Sequence, residues 1–333
     1  MRILLFLGVA LIGLFLLYQG GAMLEKHLQK PEPRGDYERR QVLDTLVNYE
    51  GKSYALRKGL TSILLLGIDA EETPNGLKGF RNGGRADFLL LLVLDEKQKE
   101  VTRIQIDRDT ITPITVLGVL GNHSGKRNAQ ISLSHGFGDG KEMSAELTVN
   151  ALSEFLGNFP IDFYVAMNMS GIPVLNDAVG GVPITLTEDF TAFDPAMAKG
   201  ATLTLNGTQA EFYVRGRMSV GAGTNEARMQ RQEEYVSKLS SMLATMMSSD
   251  QNFINTLYED LTPYLVTNLS KGRLAKETWA AKDYLQPSPI KPKGRHEVSS
   301  NGFMQFFAEE ASLQKTLVDL YYEPMVQPSI PKK

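Results

Sequence analysis

The segment GGRADFLLLLVLDEKQKEVTRIQIDRDT, residues 83–110, contains two apolar runs, and each run is flanked by an arginine and an aspartate. The first run, DFLLLLVLD, is apolar on both faces, which predicts a central strand that is covered on two sides. The second run, KEVTRIQID, alternates between apolar and polar residues and pairs with the first through the turn DEKQKE. The segment therefore predicts two neighbouring antiparallel strands inside an α/β domain.

Charged residues lie at the ends of these strands. Arg85 and Asp87 are two positions apart at a strand start, so we expect their side chains to share a face. Arg108 and Asp109 follow the second strand, and Asp69 ends an earlier apolar run, TSILLLGIDA. Ligands of open α/β sheets usually bind in crevices at strand ends. The pattern predicts a polar site there.

Further arginines follow in pairs. Arg215 and Arg217 share a face if their segment is extended, and Arg228 and Arg231 are neighbours on one helix surface. The planar guanidinium binds phosphate oxygens bidentately, and aspartate supplies oxygen ligands that Mg²⁺ accepts alongside phosphates. Together these residues suit a phosphate or pyrophosphate substrate. Any single Arg–Asp pair, however, equally fits a structural ion pair, and Arg228 with Arg231 fits an ordinary solvated helix face.

The rest of the folded region alternates between helices and strands without an obvious linker. GKEMSAELTVNALSEFLGN and NEARMQRQEEYVSKLSSMLATMM carry helical apolar periodicity, and NGTQAEFYVRGR predicts a helix that runs into an extended stretch. IDFYVAMN and VPITL predict strands. SGIPVLNDAVGG predicts a short helix that is capped by Ser170 and ends at two glycines. We therefore expect one α/β domain with a mixed sheet.

The N-terminal region differs from the rest of the chain. Residues 3–24 carry no charge and are long enough to cross a bilayer as a helix. We interpret residues 1–24 as a transmembrane anchor, with a cleaved signal peptide as the alternative. Residues 25–60 then form a stalk with a partial helix near RRQVLDTLVNYEG, residues 61–323 the folded domain and residues 324–333 a tail. The flanking Lys and Arg count alone places the domain in the cytoplasm.

Composition excludes several function classes. The chain has no cysteine, so disulfides, thiolate metal sites and cysteine nucleophiles are absent. A net charge of −3 gives no reason to expect nucleic acid as a partner. No serine-hydrolase elbow, zinc-protease motif or P-loop occurs. His123 and His135 lie in a glycine-rich segment, where each suits a structural role or that of a general base.

The motifs occur in an order that resembles the LytR–CpsA–Psr family, from about residue 62 to residue 239. They are ILLLGIDA, GGRADFLLLLVLD, VTRIQIDRDT, RNAQISLSHGFGDG, LGNFPIDFYVAMN, DAVGGVPITL, LNGTQAEFYVRGRM and EARMQRQEEYV. The resemblance implies an α/β/α sandwich with a central mixed sheet and a long apolar pocket, behind one N-terminal transmembrane helix.

The resemblance also implies an activity and a location. Members are understood to be Mg²⁺-dependent phosphotransferases of cell wall assembly. They move a glycopolymer from a polyprenyl-pyrophosphate carrier to a hydroxyl of peptidoglycan. It implies a single-pass protein of the cell membrane whose catalytic domain is extracytoplasmic, and this outweighs the Lys and Arg count. A pyrophosphatase that uses water as the acceptor, and a non-catalytic protein that binds polyprenyl phosphate, stay open as alternatives.

Matching the motifs residue by residue implies a site. Asp69 and Asp87 fall on the metal-associated positions, and the catalytic residues would be Arg108, Asp109 and Arg217. The pyrophosphate-binding positions are Arg85, Arg108, Arg215, Arg217, Arg228 and Arg231. Two positions depart from the family pattern: Phe88 replaces a polar neighbour of the phosphate, and Asn225 or Glu226 replaces an aspartate before Arg228.

Overall fold

The computed structural model describes residues 47–70, 83–118, 120–217, 220–221, 223–250, 253–270, 273, 277, 281 and 284–325. The predicted anchor at residues 1–24, residues 25–46 of the predicted stalk and residues 326–333 of the predicted tail lie outside this part of the chain. Among the helices that the structure describes, none is both long and apolar enough to cross a membrane.

Strands and helices alternate along the described chain. The strands are β1 (Val47–Tyr49), β2 (Lys52–Leu56), β3 (Leu60–Asp69), β4 (Arg85–Asp95), β5 (Glu100–Ile106), β6 (Ile111–Leu117), β7 (His123–Gln130), β8 (Phe163–Asn168), β9 (Val182–Thr185), β10 (Thr202–Leu205), β11 (Leu265–Thr267), β12 (Gly294–Val298), β13 (Met304–Ala308) and β14 (Tyr322–Pro324). The α-helices are α1 (Glu142–Phe155), α2 (Ile172–Ala178), α3 (Gly207–Arg215), α4 (Asn225–Ser249), α5 (Phe253–Leu261) and α6 (Glu310–Tyr321).

The central sheet has the strand order β11-β8-β3-β4-β5. β3 runs parallel to β8 and antiparallel to β4, and β4 is antiparallel to β5, so the sheet is mixed as predicted. Both β3 and β4 are buried along almost their whole length. Their continuous apolar sequences follow from this, because strands that are covered on two faces need apolar side chains at every position.

Helices pack on both faces of this sheet, which confirms the mixed α/β class. On one face, Leu64 and Leu91 pack in a core with residues of α1 and α6. On the other face, Leu65 and Leu90 form a core with Val165, and helices α2 to α5 enclose a further core beside it. Each fully buried leucine contributes roughly 2 kcal/mol of hydrophobic stabilisation.

A β-bulge interrupts β4 at Asp87. Gly67 pairs with Phe88 and Ile68 pairs with Ala86, which leaves Asp87 as the extra residue of the bulged strand. The alternation of side chains is broken at this point, so the expectation that Arg85 and Asp87 share a face is wrong. Arg85 is exposed, whereas Asp87 is buried.

The predicted stalk overlaps the fold. Val47–Tyr49 and Lys52–Leu56 form strands, so the end of the segment RRQVLDTLVNYEG, where a partial helix was expected, is not helical, while residues 39–46 of that segment lie outside the described residues. They belong to a small sheet in which β2 also pairs with β14, from the end of the described chain. Pairing with a distant strand supplies the backbone hydrogen bonds, which local sequence does not reveal.

The short helix α2 begins differently from the prediction. Asn168, not Ser170, caps the 3₁₀ turn that precedes α2: the side chain of Asn168 accepts a hydrogen bond from the backbone N–H of Ser170 at 2.9 Å. A 3₁₀ turn over Met169–Gly171 then leads into α2. The predicted glycine stop is confirmed, since Gly180 and Gly181 both have positive φ.

His135 has a structural environment. It lies in a 3₁₀ turn, is 2% exposed, and its Nδ1 donates to the carbonyl oxygen of Gly83 at 2.6 Å. Burial disfavours the charged ring and lowers the pKa of His135 to about 4, although the nearby carbonyls oppose this. A neutral imidazole therefore joins the start of β4 to this turn.

This buried histidine predicts acid sensitivity. The stabilisation is complete above pH ~6.5 and is lost as the pH falls towards about 4, because the unfolded chain takes up the proton first. The full loss is about 3 kcal/mol. We expect His135→Gln to flatten the decline in unfolding free energy between pH 6.5 and 4, measured by urea unfolding. An unchanged pH dependence in this variant would contradict the assignment.

Candidate functional site

A buried aspartate binds two arginines at the bulge of β4. Arg108, in the turn after β5, forms an ion pair through Nη1 with Oδ2 of Asp87. Arg228, in the first turn of α4, reaches the same oxygen through Nη1 at 3.0 Å. The exposed fractions of Asp87, Arg108 and Arg228 are 7%, 8% and 3%. We call these three residues the Asp87 cluster.

The Asp87 cluster is incompletely satisfied by protein groups. Oδ1 of Asp87 and Nε of Arg228 are buried and make no hydrogen bond with the described residues. Burial lowers the pKa of Arg228, and although Asp87 opposes this, the charges of Arg108 and Arg217 add to it. A buried cluster with excess positive charge and free polar atoms suits an anionic ligand.

Asp109 lies beside the cluster and is also buried. Its Oδ1 accepts hydrogen bonds from Nε2 of Gln130 at 2.8 Å and from Nε of Arg108 at 3.4 Å. Its Oδ2 is buried and has no hydrogen-bond partner among the described residues. Burial raises the pKa of Asp109, while the charges of Arg108 and Arg217 oppose the rise. Asp109 is therefore a stronger base than an ordinary aspartate.

A hydrogen-bonded chain links the cluster to the protein surface. Oδ1 of Asn225 accepts from Nη2 of Arg228 at 2.6 Å, and its Nδ2 donates to Oδ1 of Asp107 at 2.7 Å. Nε2 of His296 lies 2.8 Å from the other oxygen of Asp107, and the histidine is partly exposed. These contacts hold the turn that carries Arg108 against the start of α4.

Arg217 lies near the cluster, and Arg215 does not join it. The positive charge of Arg217 lowers the pKa of both Asp109 and Arg228. Its Nε donates to the carbonyl of Gly223 at 3.3 Å, and no ion pair forms with a described carboxylate. Arg215 is the last residue of α3, not part of an extended stretch, and it pairs with Asp69 at 2.5 Å.

Arg231 makes contacts that are structural. Its guanidinium donates to the carbonyls of Tyr213 and Gly216 and forms an ion pair with Glu188. Every guanidinium nitrogen is engaged, and the residue is 4% exposed. This arrangement fixes the end of α3 and the path into Arg217 and does not favour the predicted direct contact with pyrophosphate.

Arg85 lies apart from the Asp87 cluster. It is exposed at the first position of β4 and lines a separate polar cavity together with Arg127. No contact joins Arg85 to Asp87, Arg108 or Arg228 among the described residues. The predicted set of six arginines therefore divides into three at or near the cluster and three that lie elsewhere.

The two predicted metal positions lie on neighbouring strands. Asp69 pairs in register with Arg85, one position after Ile68, which pairs with Ala86. Asp87 Oδ1 is free of protein partners, whereas Asp69 binds Arg215. Among the described residues no three acidic or histidine side chains gather around one point. Mg²⁺ that is shared with substrate phosphates needs only one or two carboxylates, so Asp69 and Asp87 fit that kind of site.

An apolar cavity of about 60 Å³ is lined by residues that neighbour the cluster in the chain, such as Phe88 beside Asp87. Residues of β3, β4, β8, α2, α3 and α4 line it, and they are almost all apolar. Phe88, which follows Asp87, faces this cavity and not the arginines. Arg228, Gln232 and Val236 lie at intervals of four on α4 and therefore share one face of the helix. Arg228 belongs to the Asp87 cluster, and Gln232 and Val236 line the cavity.

Sequence reasoning missed several residues of this site. Asp107 directly precedes Arg108 in QIDRDT, so its position in the sequence could have identified it as a residue of the site. Gln130, Glu188 and His296 carry no local signal, because each reaches the site through contacts between residues far apart in the chain.

Comparisons with known proteins agree on a family. The LytR_cpsA_psr family model matches residues 26–320. A curated relative from Bacillus cereus, named polyisoprenyl-teichoic acid–peptidoglycan teichoic acid transferase TagU, is 28% identical over 258 residues, which cover 76% of this chain and 75% of the relative.

Solved structures share the fold. The crystal structure of a Streptococcus agalactiae protein has a TM-score of 0.64 at 23% identity and covers 78% of this chain and 87% of its own. A structure described as TagT bound to LIIa-WTA has a TM-score of 0.59 at 24% identity, with 79% and 90% covered.

The contacts of Arg231 and Arg215 predict different stabilities for their variants. We expect Arg231→Met to lower the free energy of unfolding by about 3 kcal/mol, because Glu188 and two carbonyls lose a buried partner. Arg215→Met removes two partly solvent-exposed ion pairs, with Asp69 and Glu211, and should cost less than about 1 kcal/mol. Urea unfolding followed by circular dichroism measures both. Equal stability of the two variants would mean that the Arg231 contacts do not hold the fold.

Proposed function

This chain belongs to the LytR–CpsA–Psr family, and on that premise we propose that it is a phosphotransferase of cell wall assembly. It moves a glycopolymer from a polyprenyl-pyrophosphate carrier to a hydroxyl of peptidoglycan. The curated relatives are named as teichoic acid transferases, so an anionic glycopolymer of that kind is the first donor to test.

One observation carries this proposal: an apolar cavity and a buried arginine cluster are formed by neighbouring positions of β4 and α4. Phe88 lines the cavity and adjoins Asp87, and on α4 the cavity-lining Gln232 lies one turn beyond Arg228. A polyprenyl pyrophosphate has the same division into an apolar tail and an anionic head. The cavity is narrow, so a long tail requires flexible linings such as Met167 and Met169 to move aside.

The arginines hold and neutralise the pyrophosphate. Arg108 and Arg228 supply buried positive charge, and Arg217, which has no ion pair with the described residues, supplies a third guanidinium group. Phosphoryl transfer depends mainly on positioning and charge stabilisation, and such donors act strongly where water is excluded. Arg215 and Arg231 act indirectly, by fixing Asp69 and the end of α3.

The transfer step is a displacement at phosphorus. The acceptor hydroxyl attacks the phosphorus that bears the glycan, a new O–P bond forms, and the P–O bond to the lipid phosphate breaks. Polyprenyl phosphate leaves with the electron pair, stabilised by the guanidinium groups. Asp109 accepts the hydroxyl proton on its free Oδ2, since its raised pKa makes it a suitable base.

Asp69 and Asp87 would hold Mg²⁺, with Oδ1 of Asp87 as the free ligand atom. A bound Mg²⁺ would neutralise phosphate charge in the transition state. Removing divalent cations with a chelator should lower turnover, and added Mg²⁺ should restore it. Unchanged turnover without divalent cations would contradict the metal requirement.

We also place the domain outside the cell membrane, behind an anchor at residues 1–24. The carrier is embedded in the membrane, so an anchored domain stays close to its donor. Protease added to intact protoplasts should cleave the domain, and complete protection would contradict this location.

The activity is tested with the purified chain, a polyprenyl-pyrophosphate-linked glycopolymer, Mg²⁺ and soluble peptidoglycan fragments. We expect glycopolymer linked to the fragments, and Arg217→Ala should reduce this transfer by about 100-fold or more. Arg295→Ala serves as the matched control, since Arg295 is a surface arginine that pairs with Glu297 and should keep wild-type activity.

Other outcomes identify the alternatives. Free glycopolymer phosphate without linked product would indicate a pyrophosphatase, and carrier binding without turnover would indicate a binding protein. Normal transfer by Arg217→Ala would contradict the assignment of the arginine site.

A further inference from the structure

A second cavity of about 340 Å³ lies beside β7, the turn between β12 and β13, and the start of β4. Arg85 and Arg127 both line it, and no acidic residue of the described part of the chain does. Half of its remaining lining residues carry amide side chains. We call it the polar cavity.

Neither arginine of the polar cavity is neutralised by a carboxylate of the described residues. Neither forms an ion pair with a described residue, unlike Arg57, Arg215 and Arg273, which each bind a carboxylate. Arg127 instead lies over the ring of Phe137 at 5.1 Å, which limits its orientation without cancelling its charge. Two uncompensated guanidinium groups around one cavity favour a carboxylate or phosphate ligand.

The other lining groups suit a sugar. Asn128, Asn301 and Gln305 offer both donors and acceptors, as hydroxyl-rich ligands require. Phe303 is 55% exposed at the edge, where an aromatic ring can pack against the C–H face of a pyranose. Gln130 lines the cavity and also donates to Asp109, so the polar cavity reaches the catalytic carboxylate.

Neighbouring residues at the start of β4 belong to the polar cavity, the Asp87 cluster and the apolar cavity. Along β4, Arg85 lines the polar cavity, Asp87 lies in the cluster and Phe88 lines the apolar cavity. Ala129 and Leu133 of the polar cavity pack on the α1 face of the sheet, whereas Leu65 of the apolar cavity packs on the opposite face.

We propose that the polar cavity is the subsite for the acceptor, an anionic glycan whose carboxylate is bound by Arg85 and Arg127. This inference rests on the proposed transferase function. In a displacement at phosphorus, the entering and leaving oxygens lie roughly in line. With the lipid phosphate leaving towards the apolar cavity, the acceptor hydroxyl enters from the polar cavity, next to Asp109.

The test compares two neighbouring substitutions that remove the same charge. Arg127→Ala removes a cavity arginine, while Lys126→Ala removes a lysine that pairs with Glu154 outside the cavity. Binding of a soluble, carboxylate-bearing peptidoglycan fragment is measured by calorimetry without donor. We expect Arg127→Ala to weaken this binding about tenfold and Lys126→Ala to leave it unchanged.

Chemical variation of the ligand completes the test. For the wild type, a fragment with amidated carboxylates should bind as weakly as the acidic fragment binds Arg127→Ala. The Arg127→Ala variant should bind the acidic and the amidated fragment with equal affinity. In the transfer assay, the KM for the acceptor should rise about tenfold while the KM for the donor stays constant.

Several results would overturn the proposal. Fragment binding that is absent in the wild type, or unchanged in Arg127→Ala, excludes an acceptor subsite at this cavity. A rise in the KM for the phosphate-bearing donor, with acceptor binding intact, assigns the cavity to the donor glycan instead. The binding measurement needs no turnover, so it tests the glycan subsite independently of the transferase activity. If the fragment binds with the expected pattern but no transfer occurs, the proposed function is contradicted and the glycan-binding site is supported.

Discussion

Burial of Asp87 between Arg108 and Arg228 is the constraint on which the site depends. Two guanidinium groups cannot be withdrawn from water side by side unless an anion compensates their charge. The bulge in β4 provides that anion at the end of the central sheet. Gly67 permits the close strand contact opposite it, since a Cβ there would lie 2.9 Å from Cβ of Phe88.

Helix α4 carries residues of the Asp87 cluster, of the contact with α3 and of the apolar cavity. Its first turn carries Asn225 and Arg228 into the hydrogen-bonded network, and Arg231, three residues on, fixes the carbonyls at the end of α3. Gln232 and Val236 continue as one wall of the apolar cavity. A single helix therefore carries both Arg228 of the Asp87 cluster and one wall of the apolar cavity.

The fold was largely readable from local sequence, and the site was readable only in part. The apolar runs of β3 and β4 and the long periodicity of α4 predicted the central sheet and its covering helices, because burial on two faces or on one stripe leaves a direct pattern. The prediction that Arg85 and Asp87 share a face failed, because the bulged residue in β4 breaks the regular alternation of side chains between the two faces. Motif matching assigned Arg231 to the ligand, whereas the structure gives it backbone carbonyls as partners, and no motif displays such contacts. His296 meets Asp107 across 189 positions of the chain, a contact that only the folded topology provides.

A crystal structure of the protein with a polyprenyl pyrophosphate tests the central claim most directly. The account predicts phosphate oxygens within hydrogen-bonding distance of Arg108, Arg217 and Arg228, and an isoprenoid chain that passes between Phe88 and Val236. Phosphates bound elsewhere, with the Asp87 cluster unchanged and the tail on the protein surface, would contradict it.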